Sequence, residues 1–352
     1  AARAAGGGLW WVQQKEQLGT GHAVMACREE LRDFEGNLVV LAGDSPLLGS
    51  QTLRLVVDKH EQEHAAATLG TAVLEDPSGY GRILRDAYGN LQGIVEDSDC
   101  EAAQRAIKEV NCSCYCFDKR LLFEALEQIK PENVKGEYYL TDALEILIRR
   151  GHRAVAVTAV SAEDALGVNS RQQLAQVSKI MQRRVQEALM NRGVTIVDPV
   201  NTWIDARAEI GQDTVIYPFT YIHGLVRIGR RCSVGPFAYL REGTVLGDDV
   251  VVGVFTELKN AVLAEQARAR HHSYIGDAYI GRRVNVGAGT IVANFDGHQI
   301  HRTRVEDDTY IGSGSTLVAP LTLRAGSRVE PGSVVADRSR SGQPPRGERP
   351  SE

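Results

Sequence analysis

Two basic side chains in the second half of this 352-residue chain have the right type and spacing to bind a phosphate. Arg241 lies in the segment YLREG and Lys259 lies in ELKNA, eighteen residues further on. Guanidinium and ammonium groups bind phosphate through charge-assisted hydrogen bonds. The pair would hold one phosphate if the fold stacks positions eighteen residues apart. The alternative is two basic side chains exposed to solvent, and the spacing alone does not separate the two interpretations.

The segments that follow carry groups suited to proton transfer and to binding hydroxyl groups. His271 and Tyr274 lie in HHSYIGD, and a histidine there would remove a proton from an attacking amine or hydroxyl. The commoner alternative is a turn histidine that is hydrogen-bonded to the backbone. Asn285 directly precedes a periodic valine, and Asn294 opens a loop in which an amide would bind a sugar hydroxyl or an oxyanion.

Three histidines offer a competing hypothesis for the same region. His298 and His301 lie three residues apart in the loop that Asn294 opens, and together with His271 they would form a zinc site. That arrangement would make the protein a zinc hydratase. The three-residue spacing is only suggestive, so the zinc site is the weaker of the two interpretations.

The cysteines do not indicate a disulfide framework, because six of them are spread over a long chain. Cys112, Cys114 and Cys116 alternate in the segment NCSCYC, so on a strand their side chains share one face. A metal site there is one interpretation. Buried reduced thiols in a cytoplasmic protein are the favoured one.

The first half has its own candidate ligands. In EQLGTGHA, residues 16–23, glycines let the backbone approach a ligand and Gln17 and Thr20 supply hydrogen-bond donors. Asp44 follows NLVVLAG, which reads as a buried strand, and a carboxylate at that end of an open α/β sheet suits a metal bound to phosphates. The segments GYGRI, GIVE and EVN are weak signals individually and also fit hairpin turns and strand ends.

The elements that position these residues fall into two classes. Up to about residue 168, strand-like and helix-like segments alternate, which predicts an open α/β sheet. GRILRD and LQGIVE predict a hairpin, and TDALEILIRRG predicts a helix capped by Thr141 and ended by Gly151. Residues 169–193 then predict one long amphipathic helix that Gly193 ends.

From Ile196 onward the apolar period changes to six, which is the hexapeptide signature of a parallel β-helix. Three short strands form a triangular coil of about eighteen residues, each pointing one aliphatic side chain inward. The period breaks at ANFDGHQIHRTR, which predicts a loop projecting from the rod. The uninterrupted column comprises Ile204, Ile210, Ile216, Ile222, Ile228, Val234, Leu240, Leu246, Val252 and Leu258.

Composition excludes several classes of protein. Apolar residues make up 43% and charged residues 24% of the chain, as in ordinary globular proteins of two domains. The net charge of −5 gives no field that would attract nucleic acid, and no apolar run approaches the roughly 20 residues of a membrane helix. Without a signal-peptide pattern at the start, the expected location is the cytoplasm.

The order of the motifs resembles one family. EQLGTGHA, GDSPLL, GYGRI, GIVE, GEYYLTD, GVNSR, GPFAYLREG, ELKN, HHSYIGD, VNVGAGT, NFDG and IGSGSTLVAP are similar to the motifs of the bifunctional N-acetylglucosamine-1-phosphate uridylyltransferase / glucosamine-1-phosphate N-acetyltransferase family. The resemblance covers about residues 12 to 336. It implies a nucleotidyltransferase domain followed by a left-handed β-helix in a homotrimer, making UDP-N-acetylglucosamine for cell-wall and outer-membrane precursors.

The resemblance assigns roles in acetyl transfer from acetyl-CoA to glucosamine-1-phosphate. It implies that His271 is the base, that Arg241 and Lys259 hold the sugar phosphate, and that Ser313 contacts acetyl-CoA. The residues implied to contact the sugar are Tyr274 and Asn285, with Asn294 orienting the amine.

The resemblance likewise assigns roles in uridylyl transfer from UTP to N-acetylglucosamine-1-phosphate. It implies that Asp44 and Asn169 bind Mg²⁺. The uridine part would bind at Gln14, Gln17, Gly19 and Thr20, and the N-acetylglucosamine part at Gly81, Glu96 and Asn111.

Two departures from the family pattern affect the expected activities. The Gly-rich stretch with which the family grips the UTP phosphates has no match, so an N-terminally truncated chain with impaired uridylyl transfer is predicted. A loop position that is usually lysine is Ile300, which removes a cation near the acetyl donor.

The expected organisation has four parts, with a non-catalytic trimeric β-helix as the remaining alternative function. The parts are a partial nucleotidyltransferase domain at 1–168, a linker helix at 169–193, a β-helix acetyltransferase domain at 194–337 and a disordered tail at 338–352.

Overall fold

The computed structural model describes residue 8 and residues 10–337, so the tail predicted at 338–352 lies outside the described residues. The chain divides into two compact units between Val177 and Ser178. Within the described part, no helix is both long enough and apolar enough to cross a membrane.

The first unit is a mixed six-stranded sheet with helices, as the alternating pattern predicted. Its strands follow the order β4-β3-β5-β2-β6, and β1 pairs with β5 outside this path. The elements are α1 (Thr20–Met25), β1 (Asn37–Leu41), α2 (Ser50–Gln62), β2 (Ala67–Val73), β3 (Arg82–Arg85), β4 (Leu91–Val95), β5 (Glu109–Asp118), α3 (Lys119–Leu126), α4 (Leu140–Arg149) and β6 (Ala154–Val157).

The strands of this sheet pair in both antiparallel and parallel directions. Strand β5 is antiparallel to β1, β2 and β3, and β2 is parallel to β6. The predicted hairpin is observed, since β3 and β4 pair in antiparallel register. Apolar side chains from the sheet and from α3 and α4 form the core, with Leu69, Phe117, Leu122 and Leu144 fully buried.

Two local predictions in this unit are wrong. Strand β1 is not buried: Val39 is 45% exposed and Leu41 is 44% exposed, because β1 pairs with β5 alone and lies at the margin of the sheet. Thr141 is not a helix cap, since Tyr139 is the N-cap residue of α4 and Thr141 lies within its first turn. Gly151 does end that helix in a left-handed conformation, with φ 82°.

Helix α5 (Arg171–Met190) is the long helix that the sequence predicted, and it ends before Gly193, whose φ is 89°. The division between the two compact units falls inside this helix. Its C-terminal half belongs to the second unit, where Gln182 accepts from the Ile204 amide and donates to the Ile204 carbonyl at 2.9 and 2.8 Å.

The second unit is a parallel β-helix of short strands, which confirms the hexapeptide prediction. The strands are β7 (Thr195–Ile196), β8 (Trp203–Ile204), β9 (Glu209–Ile210), β10 (Val215–Ile216), β11 (Tyr221–Ile222), β12 (Arg227–Ile228), β13 (Ser233–Val234), β14 (Tyr239–Leu240), β15 (Val245–Leu246), β16 (Val251–Val254), β17 (Glu257–Lys259), β18 (Val262–Leu263), β19 (Arg268–His271), β20 (Tyr274–Gly276), β21 (Ala278–Ile280), β22 (Asn285–Val286), β23 (Ile291–Ala293), β24 (Thr303–Val305), β25 (Tyr310–Ile311), β26 (Thr316–Val318), β27 (Leu321–Leu323), β28 (Arg328–Val329) and β29 (Val334–Ala336).

The strands stack into three parallel sheets, here called face 1, face 2 and face 3. Face 1 contains eight strands from β7 to β28, face 2 eight from β8 to β29, and face 3 seven from β9 to β27. Tyr221 pairs with Tyr239, so equivalent positions in these coils lie eighteen residues apart. The aliphatic column predicted from the six-residue period is the core, and Ile216, Leu240 and Leu258 are fully buried.

The period slips by one residue at the turn between face 2 and face 3. Inward-pointing Leu258 is followed by Leu263, and Ile275 by Ile280, so each of these turns lacks one residue. The register accordingly pairs Val262 with Val245, seventeen residues back. The loop predicted at ANFDGHQIHRTR interrupts the same turn one coil later, between β23 and β24.

Candidate functional site

The turn between face 2 and face 3 brings the two basic residues together, as their spacing predicted. Strand β14 pairs with β17, and the Arg241 amide donates to the Leu258 carbonyl at 2.8 Å, so Arg241 and Lys259 stack on successive coils. Neither side chain is a free solvated cation. Arg241 Nη1 donates to Glu257 Oε1 at 3.0 Å, and Lys259 Nζ donates to Asp277 Oδ2 at 3.3 Å.

Asp277 is the centre of this cluster. Its side chain is only 8% exposed, and both carboxylate oxygens accept hydrogen bonds. Oδ1 accepts from Asn260 Nδ2 at 2.7 Å, while Oδ2 accepts from Asn294 Nδ2 at 2.6 Å as well as from Lys259. Burial would raise the pKa of Asp277, but the hydrogen bonds from Asn260, Asn294 and Lys259 outweigh it and lower this pKa.

Because Gly276 has no side chain, two further candidate groups, those of Tyr274 and Asn294, lie beside the cluster around Asp277. A Cβ atom built on Gly276 would lie 2.5 Å from the Tyr274 hydroxyl oxygen and 2.7 Å from Asn294 Nδ2. Both distances are below van der Waals contact, so a side chain at this position would displace the Tyr274 hydroxyl and the Asn294 amide. The structure thus brings Tyr274 and Asn294 together beside Lys259, on the sugar-phosphate side implied by the resemblance.

The remaining acetyl-transfer candidates lie elsewhere on the same coils. His271 ends β19 on face 1, and its exposed side chain lies at the turn that leads to face 2. Ser313 is exposed at the same turn two coils later, since the Gly289 amide donates to the His271 carbonyl and the Gly314 amide to the Ala288 carbonyl. Asn285 lies in β22 on face 1, paired with Arg268 and Tyr310. Within one chain, Asn285 and Ser313 are therefore separate from the cluster around Asp277.

The zinc hypothesis is wrong for the described residues, because they contain no group of three or more metal-ligating side chains. His301 Nε2 instead donates to Asp296 Oδ2 at 2.7 Å, and the His298 backbone amide donates to Asp296 Oδ1 at 2.8 Å. These contacts organise the loop. His271 belongs to the opposite turn of face 2.

The alternating cysteines of β5 are free and buried, as the favoured interpretation expected. Burial raises the pKa of Cys112 to about 12 and those of Cys114 and Cys116 to about 11. Thiols with such pKa values are poor nucleophiles at neutral pH. They pack as small apolar side chains beneath the sheet.

In the first unit, the predicted uridine segment is fixed against the loop before α4. The Gly21 amide donates to the Tyr138 carbonyl at 2.8 Å, and Thr20 Oγ1 accepts from the Leu140 amide at 3.0 Å. Gln14 Nε2 donates to the Gly19 carbonyl at 3.1 Å. Gln17 is exposed on the same segment.

Gly19 is required where this segment touches the loop before α4. Its φ is 114°, and a Cβ atom there would lie 2.6 Å from the Tyr138 carbonyl oxygen. The predicted uridine-binding residues therefore form one ordered, partly exposed segment.

The residues predicted to bind N-acetylglucosamine lie close together, although they come from three distant segments of the chain. A Cβ atom on Gly81 would lie 3.4 Å from Glu96 Oε2 and 3.6 Å from Asn111 Cβ, and the Asn111 amide donates to the Gly81 carbonyl at 2.9 Å. Thr141 Oγ1 donates to Glu96 Oε1 at 3.3 Å. Burial raises the pKa of Glu96, which the hydrogen bond from Thr141 opposes.

An acidic cavity of about 280 Å³ adjoins this group. Glu96, Tyr139 and Asp142 are among the residues that line it, and the Tyr139 hydroxyl is buried without a hydrogen-bond partner among the described residues. Burial, then the neighbouring carboxylates of Glu145 and Glu96, raise the pKa of Asp142 to about 6.

The two residues predicted to bind Mg²⁺ are brought together from opposite ends of the unit. The Val168 amide donates to the Asp44 carbonyl at 2.8 Å, which places Asn169 beside Asp44. A Cβ atom on Gly167 would lie 3.8 Å from the Asp44 carbonyl oxygen and 3.9 Å from Asn169 Nδ2. Both side chains are exposed and carry the hard oxygen donors that Mg²⁺ prefers, so they fit this ion.

Comparison with known proteins reproduces this two-part organisation. Residues 9–205 match the Nucleotidyl transferase family, and residues 225–253 and 302–336 match the Hexapeptide repeat of succinyl-transferase. The chain is 42% identical over 357 residues to the "Bifunctional protein GlmU" of Geobacillus sp. (strain WCH70), covering 92% of this chain and 78% of that protein. The protein of the same name from Heliobacterium modesticaldum is 43% identical over 358 residues, with the same two coverages.

The chain belongs to the GlmU family. The similarity extends to the protein of Halalkalibacterium halodurans, which is 41% identical over 93% of this chain and 79% of its own length. Membership of the GlmU family confirms the resemblance inferred from the motifs. It also confirms the prediction of a bifunctional transferase that joins a nucleotidyltransferase part to a hexapeptide-repeat β-helix. The roles of individual residues stay predictions.

Sequence reasoning missed four polar residues that lie beside the predicted site residues. Asp277 and Asn260 have positive φ angles of 49° and 47°, at a turn position where the preceding coil carries Gly243. That replacement of glycine by a polar residue was a readable signal. Tyr139 and Thr141 lie in the motif GEYYLTD, but nothing in their spacing indicated that they line the same cavity as Glu96.

Proposed function

We propose that the second unit transfers an acetyl group from acetyl-CoA to glucosamine-1-phosphate. We further propose that the first unit transfers a uridylyl group from UTP to N-acetylglucosamine-1-phosphate, so that the two units together make UDP-N-acetylglucosamine. The observation that carries the proposal is the single cluster of Arg241, Lys259 and Asn294 at the turn between face 2 and face 3. Two cations on successive coils match a sugar phosphate.

In the proposed acetyl transfer, the exposed His271 removes a proton from the substrate ammonium group so that the free amine attacks the thioester carbonyl. The C–N bond forms and the C–S bond breaks, releasing coenzyme A as the thiol. Arg241 and Lys259 bind the phosphate, Tyr274 and Asn285 contact the sugar, and Asn294 orients the amine. Ser313 contacts acetyl-CoA.

We propose that the complete acetyl-transfer site forms between chains of a homotrimer. An exposed aromatic column supports this, because Phe219, Phe237 and Phe255 stack with ring centroids 4.8 and 5.2 Å apart while each stays 44% to 55% exposed. Exposed apolar columns of this kind are typical of protein interfaces. The separation of Asn285 and Ser313 from the Asp277 cluster within one chain also fits a site shared between chains.

In the proposed uridylyl transfer, the segment from Gln14 to Thr20 receives the uridine part and the group around Glu96 receives the N-acetylglucosamine part. Asp44 and Asn169 would hold Mg²⁺, which neutralises phosphate charge when bound. Impairment of uridylyl transfer stays a prediction. We place both reactions in the cytoplasm, where UTP and acetyl-CoA are available.

A thiol-release assay tests the acetyl-transfer proposal. The protein is supplied with acetyl-CoA and glucosamine-1-phosphate, and His271→Ala is compared with His298→Ala. We expect release by the wild type, a loss of at least a hundredfold in His271→Ala and no change in His298→Ala. Equal losses in both variants would contradict a specific role of His271 as the base.

The same assay separates the proposal from a non-catalytic scaffold. A folded wild-type protein that releases no thiol with any amount of glucosamine-1-phosphate would refute acetyl transfer. Retained release in His271→Ala would leave the transferase in place but remove His271 as its base.

A further inference from the structure

Asp277 occupies a turn position with a left-handed backbone conformation, which glycine adopts most readily. At the turn between face 2 and face 3, Gly243 lies in the left-handed region with φ 82°, and a Cβ atom on it would lie 3.3 Å from Asn260 Cα on the next coil. Asn260 and Asp277 follow it in the column, and the Asp277 amide donates to the Lys259 carbonyl of the previous turn. Glycine would fit this conformation without strain, so the aspartate side chain calls for a separate explanation.

The contacts of Asp277 supply that explanation. A carboxylate that is 8% exposed is costly to bury unless its oxygens are hydrogen-bonded. Three donors from the two flanking coils satisfy it: Lys259 and Asn260 on the preceding coil, and Asn294 on the following one. Two of these donors, Lys259 and Asn294, are the groups assigned above to the sugar phosphate and to the amine.

The geometry of these bonds fixes the two donors relative to each other. Lys259 Nζ and Asn294 Nδ2 share one oxygen of Asp277, at 3.3 and 2.6 Å. Lysine has a long flexible side chain, and Asn294 begins the loop that leaves the rod; within the described part of the chain, the hydrogen bond of each tip is the one to Asp277. The shortened turns after Leu258 and Ile275 bring the residues within reach of one carboxylate.

We propose that Asp277 is a positioning residue for the acetyl-transfer reaction, holding the Lys259 ammonium and the Asn294 amide in the arrangement that receives glucosamine-1-phosphate. This inference rests on the proposed function. Asp277 acts through its partners and is not itself assigned contact with the substrate. Its amide partner Asn260 holds the other oxygen and so sets the orientation of the carboxylate.

The test compares Asp277→Asn with Asp249→Asn in the full-length protein. Asparagine tolerates the left-handed conformation at both positions, where φ is 49° and 60°. Asp249 is a matched control because it is also a turn carboxylate paired with a cation, Arg231, at 2.8 Å, but on a different edge of the rod. Both variants lose one negative charge and keep the side-chain shape.

Two measurements are made on each protein: binding of glucosamine-1-phosphate by calorimetry, and steady-state thiol release. For Asp277→Asn we expect at least tenfold weaker binding and at least tenfold lower kcat/KM for glucosamine-1-phosphate, with the KM for acetyl-CoA unchanged. For Asp249→Asn we expect both values to match the wild type. A double variant with Asn294→Ala should lose little more than the single variants, because the two residues act as one unit.

The sign of the binding change decides between positioning and simple charge neutralisation. If Asp277 only offset the charge of Lys259, its removal would strengthen binding of the phosphate. Unchanged or tighter binding in Asp277→Asn would therefore overturn the inference, as would equal effects on both substrates. Wild-type protein that binds glucosamine-1-phosphate without releasing thiol would refute the acetyl transfer alone. Wild-type protein that does not bind it would refute both proposals.

Discussion

Adding one methyl group at Gly276 should separate activity from stability. In Gly276→Ala the new Cβ atom would lie 2.5 Å from the Tyr274 hydroxyl oxygen and 2.7 Å from Asn294 Nδ2. Ordinary contact requires about 3.4 Å, so each group must move by roughly 0.7 to 0.9 Å. Both are ends of side chains, and the backbone of β20 has room to stay in place.

A misplacement of about 1 Å in groups that orient a substrate lowers the rate by on the order of a hundredfold, or about 2.7 kcal/mol in activation free energy. We therefore expect kcat/KM for glucosamine-1-phosphate to fall by about that factor. The free energy of unfolding should fall by no more than about 3 kcal/mol, because displacing Asn294 Nδ2 weakens its 2.6 Å hydrogen bond to buried Asp277 while the alanine restricts the unfolded chain. Thiol release and urea unfolding give the two values.

Gly247→Ala is the matched control. Its Cβ atom would lie 2.8 Å from the backbone nitrogen of Glu265, which has no freedom to move away. This variant should lose stability but keep the kcat/KM of the folded enzyme. If Gly276→Ala were folded and its kcat/KM lay within threefold of the wild-type value, the Tyr274 hydroxyl and the Asn294 amide would have no part in orienting the substrate.

Three further outcomes follow from the packing and the charges. Phe237→Glu places a charge in the exposed aromatic column, and light scattering should show monomers in place of the homotrimer proposed for the wild type; an unchanged trimer would exclude that column as the interface. Leu240→Ala removes a fully buried side chain and should lower the free energy of unfolding by about 3 kcal/mol. In the control Ile291→Ala, where the side chain is 47% exposed, the free energy of unfolding should fall by less than about 0.5 kcal/mol. Because the pKa of Asp142 is raised from 3.8 to about 6, the folded protein binds more protons between those values and loses stability as pH rises through them. Asp142→Asn should therefore gain about 1 to 2 kcal/mol over wild type between pH 4 and pH 7 in urea unfolding, and a pH-independent difference would contradict the assignment.

The β-helix was readable from the sequence because its core repeats at a fixed interval. A strand of this rod contributes one inward aliphatic, so the period of six is both the signature of the fold and the list of its buried side chains. The eighteen-residue separation of Arg241 and Lys259 translates directly into stacking, since equivalent positions in successive coils lie above each other. The division into an α/β part and a repeat part followed from the same change of period.

The first unit was less readable, because its sheet brings together segments that are far apart in the chain. A run of aliphatics predicted that β1 was buried, but burial depends on which strands flank it, and β1 lies at the margin of the sheet. The contacts among Gly81, Glu96 and Thr141 depend on the sheet order β4-β3-β5 and on α4 packing against it. No spacing along the chain encodes that order.

For the second unit, the sequence by itself determined the parallel β-helix architecture and the coil on which each candidate residue lies. Only the tertiary structure decided that Lys259, Asn260 and Asn294 converge on Asp277. That convergence depends on the one-residue slips after Leu258 and Ile275 and on the loop that follows β23. A regular repeat stacks equivalent positions, but it is the departures from the repeat that direct side chains from the two flanking coils to the Asp277 carboxylate. Local pattern therefore specifies the rod, and long-range packing specifies the site.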